Sequence, residues 1–398
     1  LAKLLWGKVF FRDRFAGILR EEAGYGSSFA YDLNYLSDHA NVPISYSLPF
    51  QEEPHIYLNG LLPFFDNLVA EGWVELAQSR ILGKRTASRL ELLLAFGFDC
   101  IGAISIFDPE PAEVFDELLD VSDQKEMALL TSRASLSGIQ PKLAVREKDG
   151  KYYPTKVREL STHIAKFPSQ GHLDLMENEY LTTLAIHALL RREQIVEMKI
   201  GMVEGINDEA LIITRFDRRE KPGSKDIERI HFEEFNQLLG IGSKGKYSGQ
   251  YRDLANFIQL NIGRTTELYR VYRRILAGFI LGNTDMHLKN FAMFNDKEGF
   301  SSVPIYDQIS SILYGYKTLA LGIAGAQNLF LSQIKRKHLD ILGKEFGLND
   351  AAVQMTIDEL GANLEKAKQA VLGSALGPER LKEQIIEQME KRWKGTFG

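Results

Sequence analysis

The spacing of apolar positions changes along the chain, and with it the predicted element. In "LLWGKVFFRDRFAGIL" (4–19) and "SSFAYDLNYL" (27–36) the apolar residues come in short aromatic-rich runs that predict strands. "LPFFDNLVAEGWVELAQSRIL" (62–82) and "SRLELLLAFG" (88–97) instead carry the longer amphipathic pattern of helices. From "GFDCIGAISIFDPEP" to "EMALLTSRASLSGIQPKLAVREKDGKYYP" the pattern shortens to strands broken by Gly and Ser, with "EKDGK" as a hairpin turn. "THIAKFP" is a further strand. The segment "DLMENEYLTTLAIHALLRR" places Met176, Tyr180, Leu184 and Ala188 at four-residue steps, which predicts an amphipathic helix capped by Asp174. "ALIITRFDRRE" reads as a buried strand, and beyond His231 nearly everything reads as helix. The last helix opens at Pro378 and repeats apolar residues at Leu381, Ile385, Met389 and Trp393, a face that packs on its own domain.

A chain of 398 residues exceeds what one core usually supports, so two or three subdomains are expected. The divisions fall at 1–120, a small α+β subdomain; 121–217, a mixed sheet-plus-helix lobe; and 218–398, a mainly helical lobe. Forty-eight Lys and Arg against fifty-three Asp and Glu give a net charge of −5, so no global field draws the chain onto nucleic acid or an anionic membrane. The single cysteine, Cys100, excludes an intramolecular disulfide framework and a thiolate metal cluster and suits a cytoplasmic location. No apolar run reaches membrane-spanning length, and "LAKLLWGKVFF" reads as a strand rather than a signal peptide.

The densest chemistry lies in "ILGNTDMHLKNFAMF", where apolar flanks pin a polar loop. Asp285 and Asn290 stand five residues apart, the spacing of a protein-kinase catalytic loop, in which the aspartate orients the accepting hydroxyl and the asparagine holds magnesium. Taken alone, the pair reads more readily as two turn caps. Downstream, "SVPIYDQISS" presents Asp307 after an apolar strand, so that Asn290 and Asp307 together supply part of a magnesium shell. Lys289 can neutralise charge on a transferred phosphoryl group. His287 is an auxiliary group at the nucleotide whose plainer role is structural. Upstream, Ser135, Ser137 and Gly138 in "SRASLSGIQPKLAV" offer small residues for a phosphate cradle, against the alternative of a simple Ser-Gly turn. Lys166 ends "THIAKF" where kinases keep their phosphate-binding lysine, with Glu179 or Glu177 as its pairing candidate. "ALIITRFDRR" then sets Thr214, Phe216 and Asp217 at a hinge for adenine and ribose, against the alternative of a surface salt-bridge cluster.

In this order the segments "SLSGIQPKLAV", "THIAKFP", "ENEYLTTLAIHALL", "IITRFDRR", "HFEEFNQLLG", "GNTDMHLKNF" and "IYDQIS" resemble the HipA-type toxin serine/threonine kinases of bacterial toxin–antitoxin systems. "WGKVFFRDRFAGIL", "ISYSLPF" and "LLPFFDNLVAEGW" resemble that family's amino-terminal subdomain, so the resemblance covers nearly the whole chain. It implies an α+β, kinase-like two-lobed fold that uses ATP and Mg2+. Asp285 would be the catalytic aspartate, assisted by Lys289, with Asn290 and Asp307 as metal ligands. Ser137, Gly138, Ile139, Gln140, Lys142, Lys166, Thr214, Phe216, Asp217 and His287 would meet the nucleotide. It further implies autophosphorylation at Ser135 or Ser137 as an off-switch, because the added phosphate would repel those of ATP. The implied partners are a helix-turn-helix antitoxin, operator DNA reached mainly through that antitoxin, and a protein substrate. The substrates known in the family are aminoacyl-tRNA synthetases. One common form of the family has Gly after the catalytic Asp, where this chain has Met286. Two other classes stand beside the kinase reading: an idle kinase-like co-repressor that grips antitoxin and DNA, and a small-molecule kinase.

Overall fold

The computed structural model describes residues 4–109, 125, 140–156, 158–169 and 171–398. The chain divides into two compact units, one comprising Leu1–Ser169, Glu197–Ser243 and Asn295–Lys297, the other Gln170–Val196, Lys244–Phe294 and Glu298–Gly398.

The first unit opens with five strands, β1 (Trp6–Phe11), β2 (Arg14–Glu22), β3 (Gly26–Tyr31), β4 (His55–Tyr57) and β5 (Ile104–Phe107), in the spatial order β4-β3-β2-β1-β5. Alternation decides the faces: Lys8 on β1 is exposed while its neighbours Gly7 and Val9 are buried. Val9, Leu19 and Phe29 point into one core with Phe64, Phe65, Leu92 and Leu93. The strand predicted over "SSFAYDLNYL" stops at Tyr31. Asp32 then accepts the Asn34 and Tyr35 N–H groups and caps a helical turn, α1 (Leu33–Ser37). The long helix expected over 62–82 is two, α2 (Pro63–Asp66) and α3 (Gly72–Ile81), followed by α4 (Arg89–Phe96), on which Ser88 and Glu91 close a capping box.

A second sheet holds β6 (Lys142–Lys148), β7 (Lys151–Pro154), β8 (His163–Lys166), β9 (Met198–Met202) and β10 (Glu209–Thr214), in the order β7-β6-β8-β10-β9 with the pairs antiparallel. The expected hairpin turn is present: Asp149 (φ 52°) and Gly150 (φ 79°) both take the left-handed backbone that such a two-residue turn needs. Leu143, Val145, Ala165 and Ile212 line one face and pack with Val74 and Ala77 of α3, so one core joins this sheet to the amino-terminal subdomain.

The second unit is mainly helical: α5 (Leu175–Leu189), α6 (Tyr251–Asn261), α7 (Thr265–Leu281), α8 (Arg336–Glu345), α9 (Asp350–Leu372) and α10 (Glu379–Arg392). Two expectations for α5 need correction. Asp174 stands at the cap position but in left-handed backbone (φ 55°), and its side chain caps nothing, since the carboxylate takes Arg380 Nη2 at 2.6 Å. The deeper stripe runs through Leu181, Ala185 and Leu189, one residue on from the predicted Tyr180, Leu184 and Ala188, which are half-buried. Beyond His231 the chain is also less helical than expected. A hairpin, Ala292–Asp296 with Gly299–Ser302, interrupts it, and residues 303–335 run mostly as loop with short 3-10 turns. Among the described residues, no helix is long and apolar enough to cross a membrane.

Candidate active site

The candidate residues fall into two groups, one in each unit. In the second unit α7 ends because Gly282 takes φ 72° and its N–H turns back to Gly278 and Phe279 carbonyls, a glycine C-terminus that releases the chain into residues 283–291. The loop is then bolted at nearly every residue. Thr284 N–H donates to Ser311 Oγ at 2.7 Å, Thr284 Oγ1 donates to the Tyr316 carbonyl at 2.9 Å, and Ala320 N–H donates to the Thr284 carbonyl at 2.9 Å. Asp285 N–H meets Asn283 Oδ1 at 3.0 Å and Leu288 N–H meets the Lys246 carbonyl at 3.1 Å. Met286 is fully buried under α7, seated where Gly278 lacks a side chain: a Cβ there would stand 2.7 Å from Met286 Cε and nearer still to Sδ.

Asp285 is partly buried, and Tyr247 Oη donates to its Oδ1 at 3.0 Å. Burial pushes its carboxyl up to about 6, against the Tyr247 hydroxyl and the Lys246 ammonium that favour the charged form; the negative charge of Asp307 adds to the rise. A carboxylate in that range can take a proton from a hydroxyl near neutral pH. His287 is buried with its ring edge-on to Tyr247, centroids 5.1 Å apart, and Lys289 is buried as well.

Asn290 is buried, and its Oδ1 accepts no hydrogen bond from any described residue. A buried amide oxygen with free lone pairs fits a hard cation. Asp307 takes a left-handed backbone (φ 55°), uncommon for a non-glycine residue and of the kind that clusters at functional positions. Arg274 of α7 ties the two stretches together. Its guanidinium, buried between the rings of Phe291 (4.8 Å) and Tyr306 (5.5 Å), donates to the Asn290 carbonyl and, at 3.4 Å, to that of Tyr306. Tyr306 Oη in turn donates to the Lys289 carbonyl at 2.7 Å. Sequence reasoning missed Arg274, although a charge within the apolar stripe of Val271, Gly278 and Leu281 was a visible sign. Arg274→Lys is expected to lower stability by about 1.5–3 kcal/mol in a urea titration, because one ammonium cannot replace a stacked, forked guanidinium.

In the first unit, register sets Lys142 of β6 directly opposite Lys166 of β8, and both are buried. Directly opposed residues share a face, where two ammonium groups repel unless negative charge comes between them. On the same face Ala144 stands opposite Ile164, while Leu211 and Ile213 of β10 flank Lys166 and Ile164, a smooth apolar surface beside the charge. Gln140 donates through Nε2 to the Phe167 carbonyl at 2.7 Å. Thr214 N–H is taken by the Glu197 carbonyl at 2.9 Å, and Phe216 packs on Phe232 at 4.9 Å. Ser135, Ser137, Gly138 and Ile139 lie outside the described residues. Glu179, on α5, belongs to the second unit and is buried.

Asp217 does not fit the ribose contact expected of it. Its Oδ1 accepts Arg215 Nε at 2.9 Å, and its Oδ2 accepts Arg215 Nη2 at 2.7 Å, Arg218 Nη1 at 2.9 Å and Gly102 N–H at 2.8 Å. Asp99 completes a quartet, taking Arg218 at 2.8 Å, Arg215 at 3.2 Å and Ser161 Oγ at 2.6 Å. All four side chains are at most 5% exposed. The charge cluster weighed for "TRFDRR" therefore exists, but buried: two cations and two anions cancel, and the quartet rivets the loop 99–102 to the end of β10. Despite desolvation, the arginines hold both carboxyls below the ordinary range.

Residues 7–107 match the family model of the HipA N-terminal domain and residues 134–368 that of the HipA-like C-terminal domain. The protein has a kinase-like fold. It belongs to the HipA-type family. A putative kinase of Sinorhizobium fredii, Y4mE, is 26% identical over 392 residues, covering 92% of this chain and 91% of that one. The serine/threonine-protein kinase toxin HipA of Shewanella oneidensis is 27% identical over 289 residues, 64% of each chain. A solved Shewanella oneidensis HipA, in complex with HipB and operator DNA, superposes with a TM-score of 0.76 over 98% of both chains at 21% identity.

Proposed function

We propose that the protein is an ATP-dependent serine/threonine protein kinase and the toxin of a toxin–antitoxin pair. The observation that carries this reading is the loop of the second unit: a carboxylate of raised proton affinity at Asp285, then the buried, unbonded amide oxygen of Asn290 five residues on. Asp285 accepts the proton of the substrate hydroxyl as its oxygen attacks the γ-phosphorus and ADP leaves. Lys289 offsets charge developing on the transferred group. Asn290 and Asp307 are the residues that would hold Mg2+, with Arg274 fixing the backbone of both stretches. The ion, when bound, neutralises phosphate charge. Lys142 and Lys166 hold the remaining phosphates, and the apolar face around Ile164 and Leu211 receives the base. Ser137, Gly138, Ile139, Gln140, Thr214, Phe216 and His287 are the further residues this reading assigns to the nucleotide. Asp217 is left out of this set.

HipB and operator DNA in the Shewanella complex support a helix-turn-helix antitoxin as partner here, with DNA reached through it. The substrate is a protein hydroxyl, with an aminoacyl-tRNA synthetase as first candidate. The test is incubation of the purified chain with Mg2+ and ATP beside an Asp285→Ala control, reading intact mass and phosphopeptides. Phosphate on Ser135 or Ser137 in the parent alone is the expected result, and retained transfer in the variant would sink the reading. Lys166→Met is expected to raise KM for ATP about 10- to 100-fold with a smaller effect on kcat, since a charge-assisted phosphate bond is lost. Initial rates across an ATP series check it.

A further inference from the structure

We propose that Tyr247 is a positioning residue for the transfer reaction: its hydroxyl holds Oδ1 of Asp285, so the carboxylate presents its other oxygen to the incoming hydroxyl. The inference rests on the kinase reading and deepens it. Tyr247 comes from "GSKGKYSGQ" (242–250), a Gly- and Ser-rich stretch immediately before α6. Three separate contacts join this stretch to the loop. Tyr247 Oη donates to Asp285 Oδ1 at 3.0 Å, the Tyr247 ring stands edge-on to His287 at 5.1 Å, and the carbonyl of Lys246 accepts Leu288 N–H at 3.1 Å. Residues 285, 287 and 288 are thus each gripped by one dipeptide.

Geometry separates this tyrosine from a packing residue. Tyr247 is 47% exposed, so its ring borders solvent beside the carboxylate rather than filling a core. The Lys246 ammonium lies over the same ring, 5.6 Å from its centroid. A carboxylate has a free χ2 rotation, and both oxygens are equivalent until one is tied. The phenol ties one. A protein that transfers phosphate to a hydroxyl gains from having the accepting oxygen's direction fixed before the substrate arrives. The charged or titratable groups around Asp285 are Lys246 and Tyr247 on this stretch, Tyr251 at the start of α6, His287 on the loop and Asp307 beyond it.

Tyr247→Phe removes one oxygen and keeps the ring, so the packing on His287 survives. With the full chain, Mg2+, ATP and the autophosphorylation readout, kcat is expected to fall about 10- to 100-fold, with KM for ATP changed less than about twofold. The acid limb of the kcat–pH profile is expected to move to higher pH, because the bond that favours the ionised carboxylate is gone; a merely structural tyrosine would not move it. Thermal unfolding beside the parent excludes loss of fold. Tyr247→His, which can restore a donor, is expected to recover part of the rate. If Asp285→Asn retains turnover, the kinase reading itself fails. If Asp285→Asn is dead but Tyr247→Phe matches the parent in rate and pH profile, only the positioning role is overturned. Phosphate found on Tyr247 would overturn it in a different way, making the tyrosine an acceptor.

Discussion

Asp285→Asn is expected to lower kcat by about 10²–10⁴-fold, the contribution usual for a positioned general base, and at the same time to make the folded protein more stable. The second half follows from linkage. Burial raises the folded carboxyl to about 6, while an unfolded aspartate titrates near 3.9. The folded state therefore holds the proton more tightly, and this group's contribution to stability is most favourable below the unfolded value. It falls as pH rises through the window up to about 6. Above that it is a standing cost of about 3 kcal/mol, which the amide does not carry. Urea titrations at pH 4 and pH 7.5 should show the variant's advantage only at the higher pH. An inactive variant with no such gain would mean that the surroundings do not hold Asp285 in the way described.

Asp217→Ala is expected to destabilise the first unit by about 3–5 kcal/mol, because two buried guanidinium groups then face one carboxylate. The alternative role, contact with ribose, makes the opposite forecast: weaker ATP binding and an unchanged unfolding curve. Measuring both on the same preparation decides between them. The quartet's acid sensitivity has the reverse sign to that of Asp285. Asp99 and Asp217 titrate below their unfolded value, so their stabilisation is fully present above about pH 4 and is lost as pH falls through the lower folded values. In the Asp217→Ala variant this loss should be smaller, and circular dichroism followed down from pH 5 would show it.

The residues proposed for catalysis stood out because they are close in sequence: Asp285 and Asn290 lie within one loop and Asp307 on the loop that follows the next hairpin, and spacing survives without coordinates. The face proposed for phosphate was marked in the sequence by Lys166, but its pairing with Lys142 is a matter of strand register, which the hydrophobic pattern of either strand alone does not give. Asp217 was misplaced for a related reason. "TRFDRR" looks like surface charge until Asp99, more than a hundred residues earlier, closes the quartet from the other side. Tyr247 and Arg274 reach the loop from different elements, so local pattern does not give those contacts, although the charge of Arg274 within an apolar stripe set it apart. Helix boundaries failed where side-chain bonds intervened, as when Asp32 capped a turn inside a predicted strand.

Met286 and the bare backbone at Gly278 make a matched pair, and that pairing has a consequence for descent. A family member with glycine after its aspartate has no thioether to house, so the position equivalent to 278 is released to carry a side chain. One with methionine is not released. The two sites should change together across relatives, and moving this loop into a relative that has alanine or larger at that helix position should lift the aspartate off its seat unless the helix residue is exchanged in the same step.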